Sequence, residues 1–245
     1  RETVEKHYCI VLRTTDYKDN DRILTLFSRT DGRIDAQARG VRKIKSENTT
    51  ASQPMSCGEY EFYKKGDRLF LTHALIKQEF YNVQNDYDKY AAACVMLELT
   101  DKILQNTDEY EDLFLALIHA LFAMEQDTLC RAHALAYFFA RVVGRMGIFP
   151  SIGECAVCGS ETSGATALFS MEEGGEICTQ CAPHIKTVNI PRSALITLAG
   201  LAATRPQDIV KTGRENTDDM SIVSLMAEYL ENMMELHLKT MKCFR

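Results

Sequence analysis

The chain has 245 residues, of which 46% are hydrophobic and 25% charged, an ordinary soluble globular composition with enough material for a sizeable core. Its net charge of −6 argues against a protein coated in positive charge, and no run approaches the roughly 18 apolar residues that a bilayer span needs. The charged opening, Arg1 to Lys6, does not suit a secretory signal, so a cytoplasmic protein without membrane contact is expected.

Charge is unevenly divided: residues 1–80 carry +3 and residues 81–245 carry −9, so the N-terminal third is where nucleic acid would bind. His7–Thr14 and Ile23–Ser28 read as strands separated by the turn-forming run Asp16–Asp21. Arg33–Arg39 alternates Ile34, Ala36 and Ala38 with Arg33, Asp35, Gln37 and Arg39, the pattern of a half-buried strand with one wet face. Glu59–Lys64 and Arg68–Phe80 add two strands around the Lys65-Gly66-Asp67 turn, after a long polar connection over residues 40–58. Five strands in about eighty residues suit a small closed barrel. An OB-fold is the first expectation and an SH3-like barrel the rival.

From about Asn85 the hydrophobic period changes from two to 3.6. Asp86–Gln105 places Tyr90, Ala93, Cys94, Leu97 and Leu104 at helical intervals, and Thr107 or Asp108 can cap a second helix over Tyr110–Glu125. A third helix, from about Thr128 to Gly147, is apolar nearly all round and is expected at the centre of a bundle. Pro191 fits the first turn of a helix that ends before Pro206, and Asp218–Lys239 reads as a final long amphipathic helix. The expected class is α+β: an N-terminal five-stranded OB-fold barrel (1–80), then a helical domain (81–150 and 189–245) with an inserted four-cysteine zinc ribbon (151–188).

Nine cysteines are many for a disulfide framework in this length, and the number is odd. Cys9, Cys57, Cys94, Cys130 and Cys243 stand alone and read as small buried hydrophobes. The other four form two Cys-x-x-Cys knuckles, Cys155/Cys158 and Cys178/Cys181, nineteen residues apart, inside the window of a four-cysteine zinc site. Each knuckle turns two thiolates toward one point, Gly159 permits the first turn, and four sulfurs close a tetrahedron around one structural Zn2+. A closed site leaves no position for water or substrate. Ala167–Ile177, with its Gly174-Gly175 turn, reads as the hairpin of such a ribbon. His184 lies near the second knuckle but the tetrahedron is already full.

Arg33, Arg39, Arg42, Lys43 and Lys45 put five cations within thirteen residues, on the wet face of one strand and in a flexible loop begun by Gly40. Arg13 and Arg22 on neighbouring strands can join the patch. This is what following a phosphate backbone without reading bases requires, although a charged strand and loop are often simply solvated. Tyr17, Tyr63 and Phe70 are candidates to stack on bases, with barrel core the competing reading for Tyr63 and Phe70.

The run from Ile10 to Arg22, the run Leu24–Arg33 and the basic stretch Ala38–Ser46 resemble the first three strands and basic loop of the bacterial recombination mediators of the RecO family. Arg141–Pro150, followed at once by the first cysteine pair, resembles that family's junction into its zinc module, and Leu236–Phe244 its closing stretch. The resemblance spans nearly the whole chain. It implies a nucleoid-associated protein without enzymatic turnover that binds single- and double-stranded DNA and anneals complementary strands. It also implies association with RecR, contact with the tail of single-strand-binding protein, and loading of RecA. By position it makes Arg39, Arg42, Lys43 and Lys45 the DNA contacts. Arg141 and Arg145 can anchor the carboxylates of an acidic peptide, with structural roles the competing reading. The alternative function is a zinc-ribbon adaptor or transcription-associated protein whose barrel binds protein or RNA. An enzyme is disfavoured, because phosphate-binding glycine loops, His-Glu-x-x-His helices and nucleophile elbows are all missing from the sequence.

Overall fold

The computed structural model describes residues 4–105 and 110–244. Five strands come first: β1 (Val4–Tyr17), β2 (Asp21–Ser28), β3 (Gly32–Ala38), β4 (Cys57–Lys65) and β5 (Arg68–Gln78). They close into a barrel in the order β1-β2-β3-β5-β4, with β1 pairing antiparallel to both β2 and β4. The single parallel seam, β3 with β5, joins Ala36 to Leu69 and Gln37 to Phe70. This order is the Greek-key closure of an OB-fold, which answers the choice left open by the strand pattern.

The barrel interior follows from strand alternation. Val11, Leu24, Leu26, Ile34, Tyr60 and Phe62 pack in one buried cluster, joined from β5 by Leu71 with Leu69 and Ile76 at its margin. Phe70, between Leu69 and Leu71, therefore faces outward, as does Tyr63 beside Phe62. Phe70 is nonetheless buried, as the core reading expected, and Tyr63 is half-buried. At Gly58 a side chain would collide with the Leu75 carbonyl, so the close approach of β4 to β5 requires glycine there. The connection after β3 is less polar than expected: Ala51, Ser52, Met55 and Ser56 are buried, and the Tyr60 hydroxyl donates to the Ala51 carbonyl at 3.0 Å.

The helices are α1 (Tyr81–Asn85), α2 (Tyr87–Ile103), α3 (Tyr110–Glu125) and α4 (Arg131–Arg145). In α2 the buried side is Ala91–Ala93, Val95, Met96 and Leu99, while Tyr90 and Cys94 stand farther out than the periodicity suggested. Leu113, Leu117, Leu121 and Met124 form the inner stripe of α3 as expected. The Thr107 or Asp108 cap lies outside the described residues. Contacts divide the chain into two compact units, one of residues 1–85 with 97–115, the other of residues 86–96 with 116–245.

Within the second unit α4 is the central element. Eleven consecutive residues, His133–Val143, are buried, and α4 packs against α5 (Arg192–Ala203) and α6 (Asp219–Met233). A three-stranded sheet, ordered β7-β6-β8, is inserted between α4 and α5: β6 (Thr166–Ser170), β7 (Gly175–Ile177) and β8 (Val188–Pro191). The expected β6–β7 hairpin is present. β8 carries the sheet to the residue before α5. The last helix is shorter than its sequence suggests: α6 ends at Met233, and a separate turn, α7 (Met241–Phe244), follows. Glu235 adopts a left-handed φ of 50°, and the Glu231 carboxylate accepts from the Leu238 N–H at 2.6 Å. That break returns Leu238, Met241 and Phe244 to the core, which a continued straight helix would not do.

A polar network lies inside this unit. His133 Nδ1 is 2.8 Å from Asp219 Oδ1 and its Nε2 is 2.7 Å from Thr212 Oγ1, while the Thr212 hydroxyl donates to the Ile209 carbonyl. Asp219 also accepts the Asn216 N–H at 2.7 Å. Truncating Asp219 to Ala leaves His133 and the Asn216 amide without their partner in a buried site, and is expected to lower stability by about 1 to 3 kcal/mol for each group left unpaired. Urea unfolding followed by circular dichroism checks this, and a loss below about 1 kcal/mol would show that the network contributes little.

Candidate nucleic-acid interface and metal centre

The basic loop leaves the barrel at the end of β3 and is more fixed than its composition suggests. Asp21 opens β2, accepts the Gly40 N–H at 2.8 Å and accepts the Gln37 side-chain amide at 2.7 Å. Gly40 takes the left-handed φ of 65° that turns the chain. The Arg42 N–H donates to Asn20, Lys43 to Gly40 and Ser46 to Lys43, while the Thr49 hydroxyl bonds the Val41 and Ser46 carbonyls. Val41, 1% exposed, anchors the loop in the barrel, and Arg42–Lys45 stand in solvent around it.

The seven candidate cations fall into two classes. Arg13 donates to Asp101 Oδ2 at 2.9 Å, and Arg33 donates to Asp101 Oδ1 at 2.5 Å and to Asp35 at 3.1 Å. Burial works against the Arg33 charge, but the carboxylates of Asp35 and Asp101 outweigh it and raise its pKa. Arg22 donates to Asp16 at 3.2 Å and to Ser52, and Arg42 lies 3.4 Å from the other Asp16 oxygen. Arg39, Lys43 and Lys45 have no ion-pair partner among the described residues. The Arg39 guanidinium sits 4.1 Å above the Phe70 ring, and Phe70 stacks on Tyr63 at 4.9 Å. Covered on the barrel's outer side, Phe70 is only 4% exposed and has no free face for a base.

Tyr17 has a different position. With Ile23, Ala36, Arg68 and Leu69 it lines a groove of about 350 Å³ beside the β1–β2 and β4–β5 turns. These are the loops that OB-folds use for oligonucleotides. Lys18 Nζ lies 5.3 Å from the Tyr17 ring centre. Arg68 and the anchoring role of Asp21 went unnoticed in the sequence, although Arg68 directly follows the Lys65-Gly66-Asp67 turn.

The four paired cysteines converge: the Sγ atoms of Cys155, Cys158, Cys178 and Cys181 all lie within 4.8 Å of one another, and Cys158 to Cys178 is 3.7 Å. Sulfurs about 2.3 Å from a tetrahedral centre stand about 3.8 Å apart, so the four fit one metal ion. The first knuckle is closed by the Gly159 N–H to the Cys155 carbonyl and by the Cys155 N–H to the Ser160 carbonyl, the second by the Ala182 N–H to the Cys178 carbonyl. Hydrogen bonding to the Cys178 backbone holds the Cys155 thiol down at about 6, while hydrogen bonding with the Cys178 and Cys158 sulfurs pushes Cys181 up to about 12. Four sulfurs this close are not all anionic without a cation between them.

A buried carboxylate supports the centre. Glu176 accepts from the Gly153 N–H at 3.2 Å, from the Thr162 hydroxyl, and from Arg192 at 2.8 Å, while its carbonyl accepts the Ala156 N–H. Of the five lone cysteines, Cys9 and Cys57 are buried as expected, Cys94 and Cys130 half-buried, and Cys243 exposed. Cys130 caps α4, its sulfur accepting the His133 N–H.

Arg141 and Arg145 separate. Arg141 is buried and donates to the Ala202 and Thr204 carbonyls at 2.7 and 3.3 Å, closing the end of α5. Arg145 is exposed on the last turn of α4.

Residues 3–79 match the family model described as Recombination protein O N terminal, and residues 84–240 match Recombination protein O C terminal. The chain belongs to the RecO family. Relatives carry the name DNA repair protein RecO. One from Desulfitobacterium hafniense (strain DSM 10664 / DCB-2) is 33% identical over 173 residues, covering 70% of this chain and 62% of that protein. One from Desulforamulus reducens is 27% identical over 238 residues, 94% of this chain and 90% of the relative. One from Streptomyces coelicolor is 32% identical over 180 residues, 70% and 72% of the two chains. The Desulfitobacterium match thus spans less than two thirds of that protein's length.

The Asp21 anchor gives a pH test. The Gly40 N–H, with help from Gln37, holds the Asp21 carboxyl below its ordinary range despite the opposing effect of desolvation. A depressed pKa contributes stability that is present above the unfolded value and lost as pH falls through the folded one. The loop is therefore expected to loosen only below about pH 4. The Gly40 amide resonance should titrate with the depressed Asp21 pKa, and Asp21→Asn should abolish that transition. A Gly40 amide that does not respond to pH would remove Asp21 as the anchor.

Proposed function

We propose that the chain is a non-catalytic mediator of recombination in DNA repair, which binds single- and double-stranded DNA through its barrel and anneals complementary strands. With RecR it helps to load RecA onto DNA covered by single-strand-binding protein, whose tail it contacts. Family membership and the relatives' name support the DNA-repair role. The observation that carries DNA binding is the group Arg39, Lys43 and Lys45: exposed, held near one another by a bonded loop, and without carboxylate partners among the described residues.

Cations already neutralised by neighbouring aspartates gain less from a phosphate than free ones do. Arg39, Lys43 and Lys45 are therefore the primary contacts, with Arg42 beside them, while Arg13, Arg22 and Arg33 shape the surface through Asp101, Asp16 and Asp35. Neutralising several phosphates releases counterions and gives affinity that falls steeply with salt and discriminates little among sequences. Tyr17 and Arg68 extend the path into the groove, where an exposed ring can stack on a base. Annealing follows if two backbones are screened on one face with their bases left free to pair. The −9 balance of residues 81–245 favours confining DNA to the barrel.

Fluorescence anisotropy of labelled single-stranded DNA across a salt series tests the reading. Changing Arg39, Arg42, Lys43 and Lys45 together to Glu is expected to weaken binding at least about a hundredfold at low salt and to flatten the salt slope. Binding untouched by the four changes would move DNA off this loop, and no binding at low salt would favour an adaptor.

For the four cysteines we propose one structural Zn2+. A tetrahedral thiolate set without an open position suits zinc and leaves no role in turnover. Metal analysis is expected to give one zinc per chain. Cys178→Ser or chelation should unfold residues 151–191 while the barrel resonances persist in NMR spectra, because metal binding free energy is folding free energy for such modules. A ribbon that keeps its dispersed resonances without metal would contradict this.

A further inference from the structure

The strand β8 leaves one edge of its sheet unpaired among the described residues, and the bond pattern fixes which groups face that way. The Glu176 N–H donates to the Ser151 carbonyl, away from β6, so Leu168, opposite Ile177, is bonded to β7. Ala167 and Phe169 then turn toward β8 and bond Ile190 and Val188. The Arg192 N–H to the Ala165 carbonyl continues that alternation. Asn189, the residue between, consequently directs both its N–H and its C=O to the free edge.

That edge is one wall of a groove. Two adjoining cavities of about 430 and 260 Å³ share Met171, Val188 and Glu228. All four residues of β8 line the larger one, which identifies the strand's edge rather than one of its faces as the wall. The opposite wall is a single face of α6: Met220, Ser221, Ser224, Leu225 and Glu228, continued by Glu231 and Asn232 in the second cavity. From 220 to 232 a helix rises about 18 Å, the length of five or six extended residues. Met220, Val188 and Leu225 supply apolar contact, and three carboxylates, Glu172, Glu228 and Glu231, face one ammonium, Lys186. Glu231 is held by His237 and Leu238, which leaves the exposed Glu172 and Glu228 open to a ligand, Glu228 at the junction of the two cavities.

We propose that this groove binds an extended, lysine- or arginine-bearing segment of a partner protein, which adds to β8 as a fourth strand and sets a cation against Glu228. A strand edge facing a helix across a groove is a recurring way of capturing extended peptides, with main-chain bonds giving affinity and alternate side chains giving specificity. The acidic lining disfavours DNA, so this surface differs from the barrel site in both location and sign.

The test uses the full chain and fluorescein-labelled hexapeptides. A peptide of alternating valine and lysine is expected to bind saturably, and its valine–glutamate counterpart is not. N-methylation of alternate peptide amides, which leaves charge intact and removes main-chain donors, should weaken binding at least about tenfold. Glu228→Lys should do the same. Asn189→Pro, which removes an outward amide and spares the β6 ladder, should weaken binding without changing the melting temperature. Absence of saturation up to about 1 mM, or an affinity indifferent to N-methylation and to Glu228→Lys, would overturn the proposal. Peptide displacement by the chain's own self-association would give the groove to a second copy and overturn the partner assignment.

Discussion

The barrel closes through its narrowest seam, two parallel register pairs between β3 and β5, and that seam decides where the cationic loop lies. β3 ends immediately after its pairing with β5, so the chain must leave there. Asp21, on the adjacent strand, catches the departing Gly40 amide, and Val41 drops into the barrel, which forces the next four side chains outward. Arg39 lies across the outer face of Phe70, itself the β5 residue paired with Gln37 at the seam. The position of the cationic loop is thus a consequence of barrel closure. A barrel that closed elsewhere would distribute the same sequence of charges differently.

Composition says little about which cations are available, because availability depends on neighbours distant in sequence. Arg13 and Arg33 share Asp101, 88 and 68 residues away, and Arg22 and Arg42 share Asp16. Each aspartate orders two guanidinium groups and lowers the local potential that a phosphate would feel. The pairs on the exposed Asp16 add little to stability. Their effect is on shape: they stiffen the barrel surface beside Arg39, Lys43 and Lys45, which have no ion-pair partner among the described residues.

Much of this was legible in the sequence where period and spacing act locally. The alternation at Ile34–Ala38, the apolar run of α4 and the two cysteine knuckles correspond directly to a strand, a central helix and a converging sulfur cluster. What escaped depended on register or on distant capture. Phe70 reads as core and is buried, but under Arg39 on the outer side of the barrel, because the inner face of β5 takes Leu69 and Leu71. The early end of α6 depends on Glu231 capturing the Leu238 amide seven residues later, for which helical periodicity carries no signal. Glu176 looks like one more surface glutamate in an acidic hairpin, but it is buried under Arg192 and holds the approach to the first knuckle.

The two halves of the charge distribution can be understood together. A mediator that holds DNA must also release it, and a molecule positive on all sides would wrap its ligand instead of presenting it. Under the proposed reading, contact centred on Arg39, Lys43 and Lys45 engages few phosphates and keeps affinity sensitive to ionic strength and to competitors. The net negative charge of residues 81–245 disfavours phosphate there, and β8 keeps one edge unpaired among the described residues. In that arrangement β8 is short and ends at Pro191, features that also restrain uncontrolled pairing between sheets. Recognition at such an edge then depends on the glutamate opposite it, since a single outward pair of backbone groups is too little to hold a strand alone.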